Sequence, residues 1–186
     1  MSIPARKKFG ETALLTPANV LTASRLFLAA IFCWLVVLRG PSWWTTGVGF
    51  LAASSDYFDG IVARRQGPTT SGAFLDPLAD KIVVLGSLFT LVAVHRMALF
   101  PVLIITAREL WMTWYRSRAS RQGISIPART LPKFKTMIQD FAIAFVVCPW
   151  TAHTHWLQVA TLWFAVALTL FTGVQYYVDG RKALVQ

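Results

Sequence analysis

Acidic residues are scarce in this sequence of 186 residues, in which eight Asp and Glu stand against 18 Lys and Arg. Charged residues amount to only 14% of the chain, whereas a soluble domain usually has about a quarter. Hydrophobic residues make up 55%, and they form long runs that predict a protein embedded in a bilayer. The net charge of +10 fits an anionic membrane surface or an acidic substrate. It does not indicate nucleic acid, because the segments between the basic clusters are too apolar to face water.

Cysteine and histidine are also rare. Cys33 and Cys148 both lie in apolar runs, so we interpret them as small core residues and not as a disulfide or a metal pair. His95, His153 and His155 fall in predicted outer loops, away from the charged clusters. This disfavours a lipid phosphatase with a histidine nucleophile.

The apolar runs predict an all-α integral membrane protein with a single domain and six transmembrane helices. Each run is close to the ~20 residues that a helix needs to cross the hydrocarbon core. Residues 1–16 mix basic and apolar side chains and predict an interfacial amphipathic helix, which precedes a six-helix bundle over residues 17–186. The six runs are Asn19–Leu38, Trp43–Ala63, Leu75–His95, Ala98–Arg118, Thr136–Ala152 and Trp156–Val178.

The distribution of basic residues predicts the orientation. If the N-terminus is cytoplasmic, the outer loops carry only Arg39 and Arg96. The other side then carries a large excess of Lys and Arg, as the positive-inside rule requires. We therefore expect a multi-pass protein of the cell (inner) membrane with both termini in the cytoplasm. The inner residues are Arg6, Lys7, Lys8, Arg64, Arg65, Arg116, Arg118, Arg121, Arg129, Lys133, Lys135, Arg181 and Lys182.

Half of the acidic residues fall within one short stretch: Asp56, Asp59, Asp76 and Asp80. A carboxylate inside a membrane costs roughly 2.5–3.5 kcal/mol on insertion scales, so four of them indicate a function. The first two are three residues apart and the last two are four apart, so each pair shares one face of its helix. A short loop joins the two helices at their cytoplasmic ends. The four carboxylates should therefore converge just inside the inner leaflet.

Carboxylate oxygens are the ligands that Mg²⁺ and Mn²⁺ prefer. Two such ions about 3.5–4 Å apart would bind the attacking oxygen and the leaving oxygen of an in-line phosphoryl displacement. One alternative is a structural ion-pair cluster with Arg64, Arg65 and Lys81, which the regular spacing disfavours. Another is a small cation-coupled transporter, which would not need Gly and Arg residues interleaved with the aspartates.

The stretch from Asp56 to Arg64 reads DYFDGIVAR and is followed by Gly72, Asp76 and Asp80. It resembles the signature D-x2-D-G-x2-A-R, loop, G-x3-D-x3-D of the CDP-alcohol phosphotransferase family, whose six-helix plan also matches. Seven residues separate Arg64 from Gly72, one fewer than is usual in that family. The resemblance implies an enzyme, commonly a homodimer, that transfers a phosphatidyl group from CDP-diacylglycerol to a hydroxyl acceptor.

The same resemblance implies roles for individual residues. Asp56, Asp59 and Asp76 would bind two divalent ions, Mg²⁺ or Mn²⁺, and Asp80 would be the catalytic base with a share in the second ion. The segment from Pro17 to Arg25 is similar to the P-N-x-L-T-x-x-R segment of many members, although Asn19 could instead cap the first helix. The implied CDP-binding residues are Asn19, Thr22, Asp56, Gly60, Ala63, Arg64 and Gly72.

Basic residues in the fourth and fifth runs bear on the acceptor. Ala107-Arg108-Glu109, Arg116 and Lys133-Phe134-Lys135-Thr136 resemble the A-R-E … R … G-K-x-K-T segment of phosphatidylglycerophosphate synthases. The implied acceptor is sn-glycerol 3-phosphate, and the products are phosphatidylglycerophosphate and CMP. Inositol phosphate, or phosphatidylglycerol to give cardiolipin, are alternative acceptors, and Arg108 could instead pair with Glu109 or with an aspartate of the metal site. The implied ligands of the acceptor phosphate are Arg108, Arg116, Lys133 and Lys135.

Overall fold

A computed structural model describes residues 17–66, 70–121 and 131–185. Within these ranges the chain forms six α-helices and no strand. Each helix overlaps one of the predicted apolar runs, so the prediction of an all-helical fold is confirmed for the described residues. The helices are α1 (Pro17–Arg39), α2 (Trp43–Gln66), α3 (Thr70–Ala93), α4 (Leu99–Arg121), α5 (Leu131–Val147) and α6 (His155–Val185).

Two of the described helices are long and apolar enough to cross a membrane by length and composition. These segments are Thr22–Arg39 in α1, with 18 residues, and His155–Val178 in α6, with 24. They agree with an all-α membrane protein. The count of six spans stays a prediction, and the interfacial helix predicted for residues 1–16 lies outside the described residues.

The turn between α1 and α2 is held by capping interactions. α1 begins at Pro17, where the missing N–H is no loss. It ends before Gly40, whose φ of 63° is the left-handed conformation that glycine tolerates best. Ser42 Oγ accepts a hydrogen bond of 3.2 Å from Thr45 N and so caps α2. The buried Thr45 hydroxyl in turn donates to Gly40 O at 2.9 Å, which ties the two helix ends together.

The last residue of α5 is Val147, five residues before the predicted boundary at Ala152. Pro149 explains the early end, since the residue before a proline is disfavoured in the helical region. Gln158 of α6 supports the turn that follows. Its side-chain Nε2 donates to Thr151 O at 2.9 Å and to Ala152 O at 3.0 Å. The buried side-chain amide of Gln158 thereby provides hydrogen bonds to two carbonyl groups of the turn, which have no partner within a helix.

The chain divides into two compact units, one ending at Ser87 and the other beginning at Leu88. In the first unit α1 packs against α2, with Phe32 and Val36 buried. In the second unit α4 and α5 each pack against α6, around side chains such as Ile105. The organisation as a single domain of residues 1–186 stays a prediction.

Candidate active site

The backbone of the aspartate segment agrees with the sequence prediction. Asp56 and Asp59 lie in the C-terminal half of α2, and Asp76 and Asp80 lie in the N-terminal half of α3. Both pairs are therefore helical, and each pair shares one helix face. The side chain of Asp80 is described. The other predicted metal and CDP ligands on these two helices have side chains outside the described residues, so their convergence stays a prediction: Asp56, Asp59, Gly60, Ala63, Arg64, Gly72 and Asp76.

Asp80 forms an ion pair with Arg25 of α1, in which Arg25 Nη1 donates to Asp80 Oδ1. The guanidinium is enclosed, with 5% of the Arg25 side chain exposed, whereas 46% of the Asp80 side chain is exposed. A charge-assisted hydrogen bond of this kind fixes the orientation of the carboxylate. Arg25 therefore holds Asp80 Oδ1 in place, while nearly half of the Asp80 side chain is exposed.

The first turns of α1 contain the other predicted nucleotide contacts. Thr22 is buried and lies one turn before Arg25, on the same face of the helix. Asn19 lies within the first turn of α1, which already begins at Pro17, so the alternative that Asn19 caps this helix is wrong. The side chain of Asn19 lies outside the described residues, and its contact with a nucleotide stays a prediction.

A second charged group lies in the other unit, on α4 and α5. Glu109 Oε1 accepts a hydrogen bond of 2.9 Å from Arg108 Nη1 and another from Lys135 Nζ. We call these three residues the Glu109 cluster. Their side chains are only 10%, 10% and 8% exposed for Arg108, Glu109 and Lys135. Two cations and one carboxylate leave the Glu109 cluster with a net charge of +1, enclosed among helices.

α6 completes the surroundings of this cluster. Arg108 Nη2 donates to Thr172 Oγ1 at 2.9 Å. At the next residue, Gly173, an added Cβ would lie 3.1 Å from Arg108 Nε, so a larger side chain would press on the guanidinium group. That Nε is buried and has no hydrogen-bond partner among the described residues. On α6, Thr172 therefore binds the guanidinium group of Arg108, and Gly173 leaves space for it.

The structure thus brings together two of the four cations predicted to bind the acceptor phosphate, Arg108 and Lys135. The side chains of Arg116 and Lys133 lie outside the described residues. The alternative pairing of Arg108 with Glu109 is present. Sequence reasoning missed the role of Glu109 as shared partner, although the A-R-E segment contained the signal, namely a lone acid beside a cation in an apolar helix.

The donor chemistry of the aspartates suits a hard divalent cation, since all four offer carboxylate oxygens. Within the part of the chain that the structure describes, no group of three or more His, Cys, Asp or Glu side chains could hold a metal. Asp80 is the only predicted metal ligand whose side chain the structure describes. It is half-exposed and is paired with Arg25. The histidines lie apart from it in sequence, with His95 and His153 in turns and His155 at the start of α6.

Comparison with known proteins agrees with the sequence signature. Residues 15–171 match the family described as CDP-alcohol phosphatidyltransferase. A probable phosphatidylglycerophosphate synthase of Mycobacterium tuberculosis is 32% identical over 176 residues, covering 90% of this chain and 82% of that protein. Proteins named CDP-diacylglycerol–glycerol-3-phosphate 3-phosphatidyltransferase are also similar. The one from Pseudomonas fluorescens is 33% identical over 89% of this chain and 94% of its own length, and the one from Rickettsia bellii is 31% identical over 88% and 94%.

The chain therefore belongs to the CDP-alcohol phosphatidyltransferase family. It is a transferase of phospholipid biosynthesis, and its family joins CDP-alcohol donors to hydroxyl acceptors with the help of divalent metal ions. Membership also supports association with a membrane, in agreement with the two apolar helices. Thr172 and Gly173, which surround Arg108, lie just beyond the last matched residue.

Proposed function

We propose that this enzyme transfers the phosphatidyl group of CDP-diacylglycerol to sn-glycerol 3-phosphate, giving phosphatidylglycerophosphate and CMP. The observation that carries the acceptor assignment is the enclosed pair of cations, Arg108 and Lys135, on neighbouring turns of α4 and α5. Enclosed cations suit a phosphate-bearing acceptor, because charge-assisted hydrogen bonds are strongest away from water. The names of the relatives in Pseudomonas fluorescens and Rickettsia bellii agree with this acceptor.

On the donor side, Asp56, Asp59, Asp76 and Asp80 would hold two divalent ions, Mg²⁺ or Mn²⁺. Bound there, these ions would neutralise the charge that develops on the pyrophosphate oxygens. The CDP group would lie against Asn19, Thr22, Gly60, Ala63, Arg64 and Gly72, with Arg64 on a phosphate. Buried Thr22 and the ion pair of Arg25 with Asp80 support a polar lining on this face of α1.

On the acceptor side, Asp80 would accept the proton of the attacking hydroxyl group. The hydroxyl oxygen then bonds to the phosphorus of the phosphatidyl group, and the bond from that phosphorus to the CMP oxygen breaks. Arg25 keeps the Asp80 carboxylate oriented through its ion pair. Arg108, Arg116, Lys133 and Lys135 would hold the acceptor phosphate.

The proposed setting is a six-span homodimer in the inner membrane, with both termini and the active site facing the cytoplasm. The charge distribution supports this orientation, since Lys and Arg are concentrated on the proposed inner side. The acyl chains of CDP-diacylglycerol would stay in the inner leaflet, while the polar head reaches the aspartates at the cytoplasmic ends of α2 and α3.

The experiment is to purify the protein in detergent and to follow CMP release from CDP-diacylglycerol with Mg²⁺ or Mn²⁺. Glycerol 3-phosphate, inositol phosphate, phosphatidylglycerol and no acceptor are compared. We expect CMP release that requires metal and is fastest with glycerol 3-phosphate. The Asp80→Asn variant, which keeps the size of the side chain and removes its charge, is the matched control for background hydrolysis.

A faster reaction with inositol phosphate would show that inositol phosphate is the acceptor, and the proposed donor chemistry would be unaffected. A faster reaction with phosphatidylglycerol would indicate a cardiolipin-forming enzyme. If folded protein released no CMP with any of these acceptors, the proposal would be wrong.

A further inference from the structure

A buried threonine of α6 binds one of the cations proposed to hold the acceptor phosphate. Arg108 Nη2 donates a hydrogen bond of 2.9 Å to Thr172 Oγ1, which lies 64 residues away in the sequence. Thr172 is 1% exposed and the Arg108 side chain is 10% exposed, so water has little access to this bond. Thr172 lies just beyond the segment that matches the family, residues 15–171. Its contacts, and not the family signature, indicate what it does.

The hydroxyl group of Thr172 is held as an acceptor. It donates its own hydrogen within α6, where Leu168 O lies at 2.9 Å and Thr169 O at 3.0 Å. A hydroxyl group has one hydrogen and two lone pairs, so Thr172 can only accept from the side that faces α4. An acceptor fixed in this way suits a cationic N–H donor and determines where that donor lies.

Two hydrogen bonds to two different helices fix the plane of the Arg108 guanidinium group. Nη1 donates to Glu109 Oε1 of α4 at 2.9 Å, and Nη2 donates to Thr172 of α6. Because the guanidinium group is planar, two fixed nitrogens determine the direction in which its other N–H groups point. Nη1 and Nη2 each carry a second hydrogen. Arg108 can offer these hydrogens to a phosphate while it keeps both bonds to the protein.

The side of the guanidinium group that faces α6 depends on Thr172. Nε is buried and has no hydrogen-bond partner among the described residues, and a Cβ added to Gly173 would lie 3.1 Å from it. Without the Thr172 hydroxyl group, Nη2 would also lose its acceptor on α6. Buried donors without acceptors are costly, so we expect the guanidinium group to reorient when this hydroxyl group is removed.

We propose that Thr172 is a positioning residue for the acceptor, because it holds Arg108 in the orientation that binds the acceptor phosphate. The proposal rests on the proposed function and adds a residue of α6 to that site. Thr172 acts through the guanidinium group and not by contact with the substrate. Removal of its hydroxyl group should therefore weaken acceptor binding and leave the chemistry at the aspartates unchanged.

Thr169 is an internal comparison for this role. It lies three residues before Thr172 on α6 and is fully buried, with 0% exposed. Its hydroxyl group also accepts a hydrogen bond from a neighbouring helix, at 3.1 Å from Gln139 Nε2 of α5. Both threonines thus make the same kind of contact between helices, but only Thr172 binds a cation of the proposed acceptor site. A purely structural role would make the two residues equivalent.

The test compares Thr172→Val with Thr169→Val, both purified in detergent. Valine keeps the branched shape of threonine and replaces the hydroxyl group by a methyl group. We expect the thermal midpoint of both variants to fall by a few degrees, because each loses a buried hydrogen bond. Only Thr172→Val should raise the acceptor KM in the CMP-release reaction, by roughly tenfold. Its kcat and its KM for CDP-diacylglycerol should stay within about twofold of wild type, as expected for loss of acceptor binding alone.

A series at the same position tests the hydroxyl group itself. Thr172→Ser keeps the hydroxyl group and should have an acceptor KM within about twofold of wild type. Thr172→Cys offers a thiol, which is a weak acceptor, and its acceptor KM should lie between those of wild type and Thr172→Val. Thr172→Ser and Thr172→Cys also test the proposal if Thr172→Val is too unstable to purify.

An equal acceptor KM in Thr172→Val and Thr169→Val would overturn the proposal, since Thr172 would then only join two helices. A lower kcat with an unchanged acceptor KM would also overturn it, and so would a Thr172→Ser variant as impaired as Thr172→Val or Thr172→Cys. All of these results leave the proposed function standing as long as wild type releases CMP with glycerol 3-phosphate. Failure of wild type to do so would instead count against the proposed function itself.

Discussion

Two charged groups with opposite exposure distinguish the two units of this protein. In the ion pair of the first unit, the cation Arg25 is enclosed and the carboxylate of Asp80 is 46% exposed. In the Glu109 cluster of the second unit, the carboxylate and both cations are at most 10% exposed. In the first unit the enclosed cation thus pairs with a carboxylate that reaches the surface, whereas in the second unit the carboxylate is enclosed together with both of its cations.

The first way to test this comparison is to remove the charge of the exposed carboxylate. In Asp80→Asn we expect CMP release to fall by about 10²–10⁴-fold, the range typical for loss of a general base. The thermal midpoint of the variant in detergent should also fall, because the enclosed Arg25 loses a charged partner, but by less than in Glu109→Gln, where two enclosed cations lose one. An active variant would show that another group accepts the proton.

The corresponding change in the closed group should affect stability more. Glu109→Gln removes the carboxylate that Arg108 and Lys135 share, and breaking a buried ion pair in this way costs about 3–5 kcal/mol. Lys135→Met is the matched comparison, because it leaves a neutral Arg108–Glu109 pair and should cost roughly 1 kcal/mol. Thermal midpoints without acceptor check this order.

Removal of the enclosed cation of the first unit should act on turnover more than on stability. Arg25→Met keeps the apolar stem of the side chain and removes the cation that orients the Asp80 carboxylate. We expect kcat to fall roughly tenfold, with little change in the acceptor KM. Arg25→Lys, which keeps the charge without the planar geometry, should recover part of the loss. A changed acceptor KM with an unchanged kcat would contradict the orienting role.

The smallest expected effect tests the space beside Arg108. In Gly173→Ala the new Cβ would lie 3.1 Å from Arg108 Nε, so the guanidinium must shift by a few tenths of an ångström. We expect acceptor KM to rise by about threefold, with CDP-diacylglycerol kinetics unchanged. Gly47→Ala on α2 is the control, since nothing lies within 4 Å of its added Cβ and the helix should gain about 0.5–1 kcal/mol. Equal kinetics in both variants would show that Arg108 adapts freely.

Much of this organisation was predictable from local sequence. The apolar runs predicted the position of each described helix, because hydrophobic length and period depend only on neighbouring residues. The end of α5 was placed too late at Ala152, although Pro149 was visible, since hydropathy alone does not register the effect of proline on the preceding residue. The spacing of the aspartates was sufficient to predict their helix faces and, with the signature, the family.

The partners of the charged residues were beyond sequence reasoning. Arg25 and Asp80 are 55 residues apart, and Glu109 and Lys135 are 26 apart, so only packing of helices decides that they meet. The same holds for the exposure of each group, which depends on what neighbouring helices cover. Sequence by itself determined the helices, the aspartate signature and the excess of basic residues. Tertiary structure alone decided that Asp80 is held by Arg25 and open to solvent, and that one carboxylate is shared by two enclosed cations, because contact and burial arise between helices and not along them.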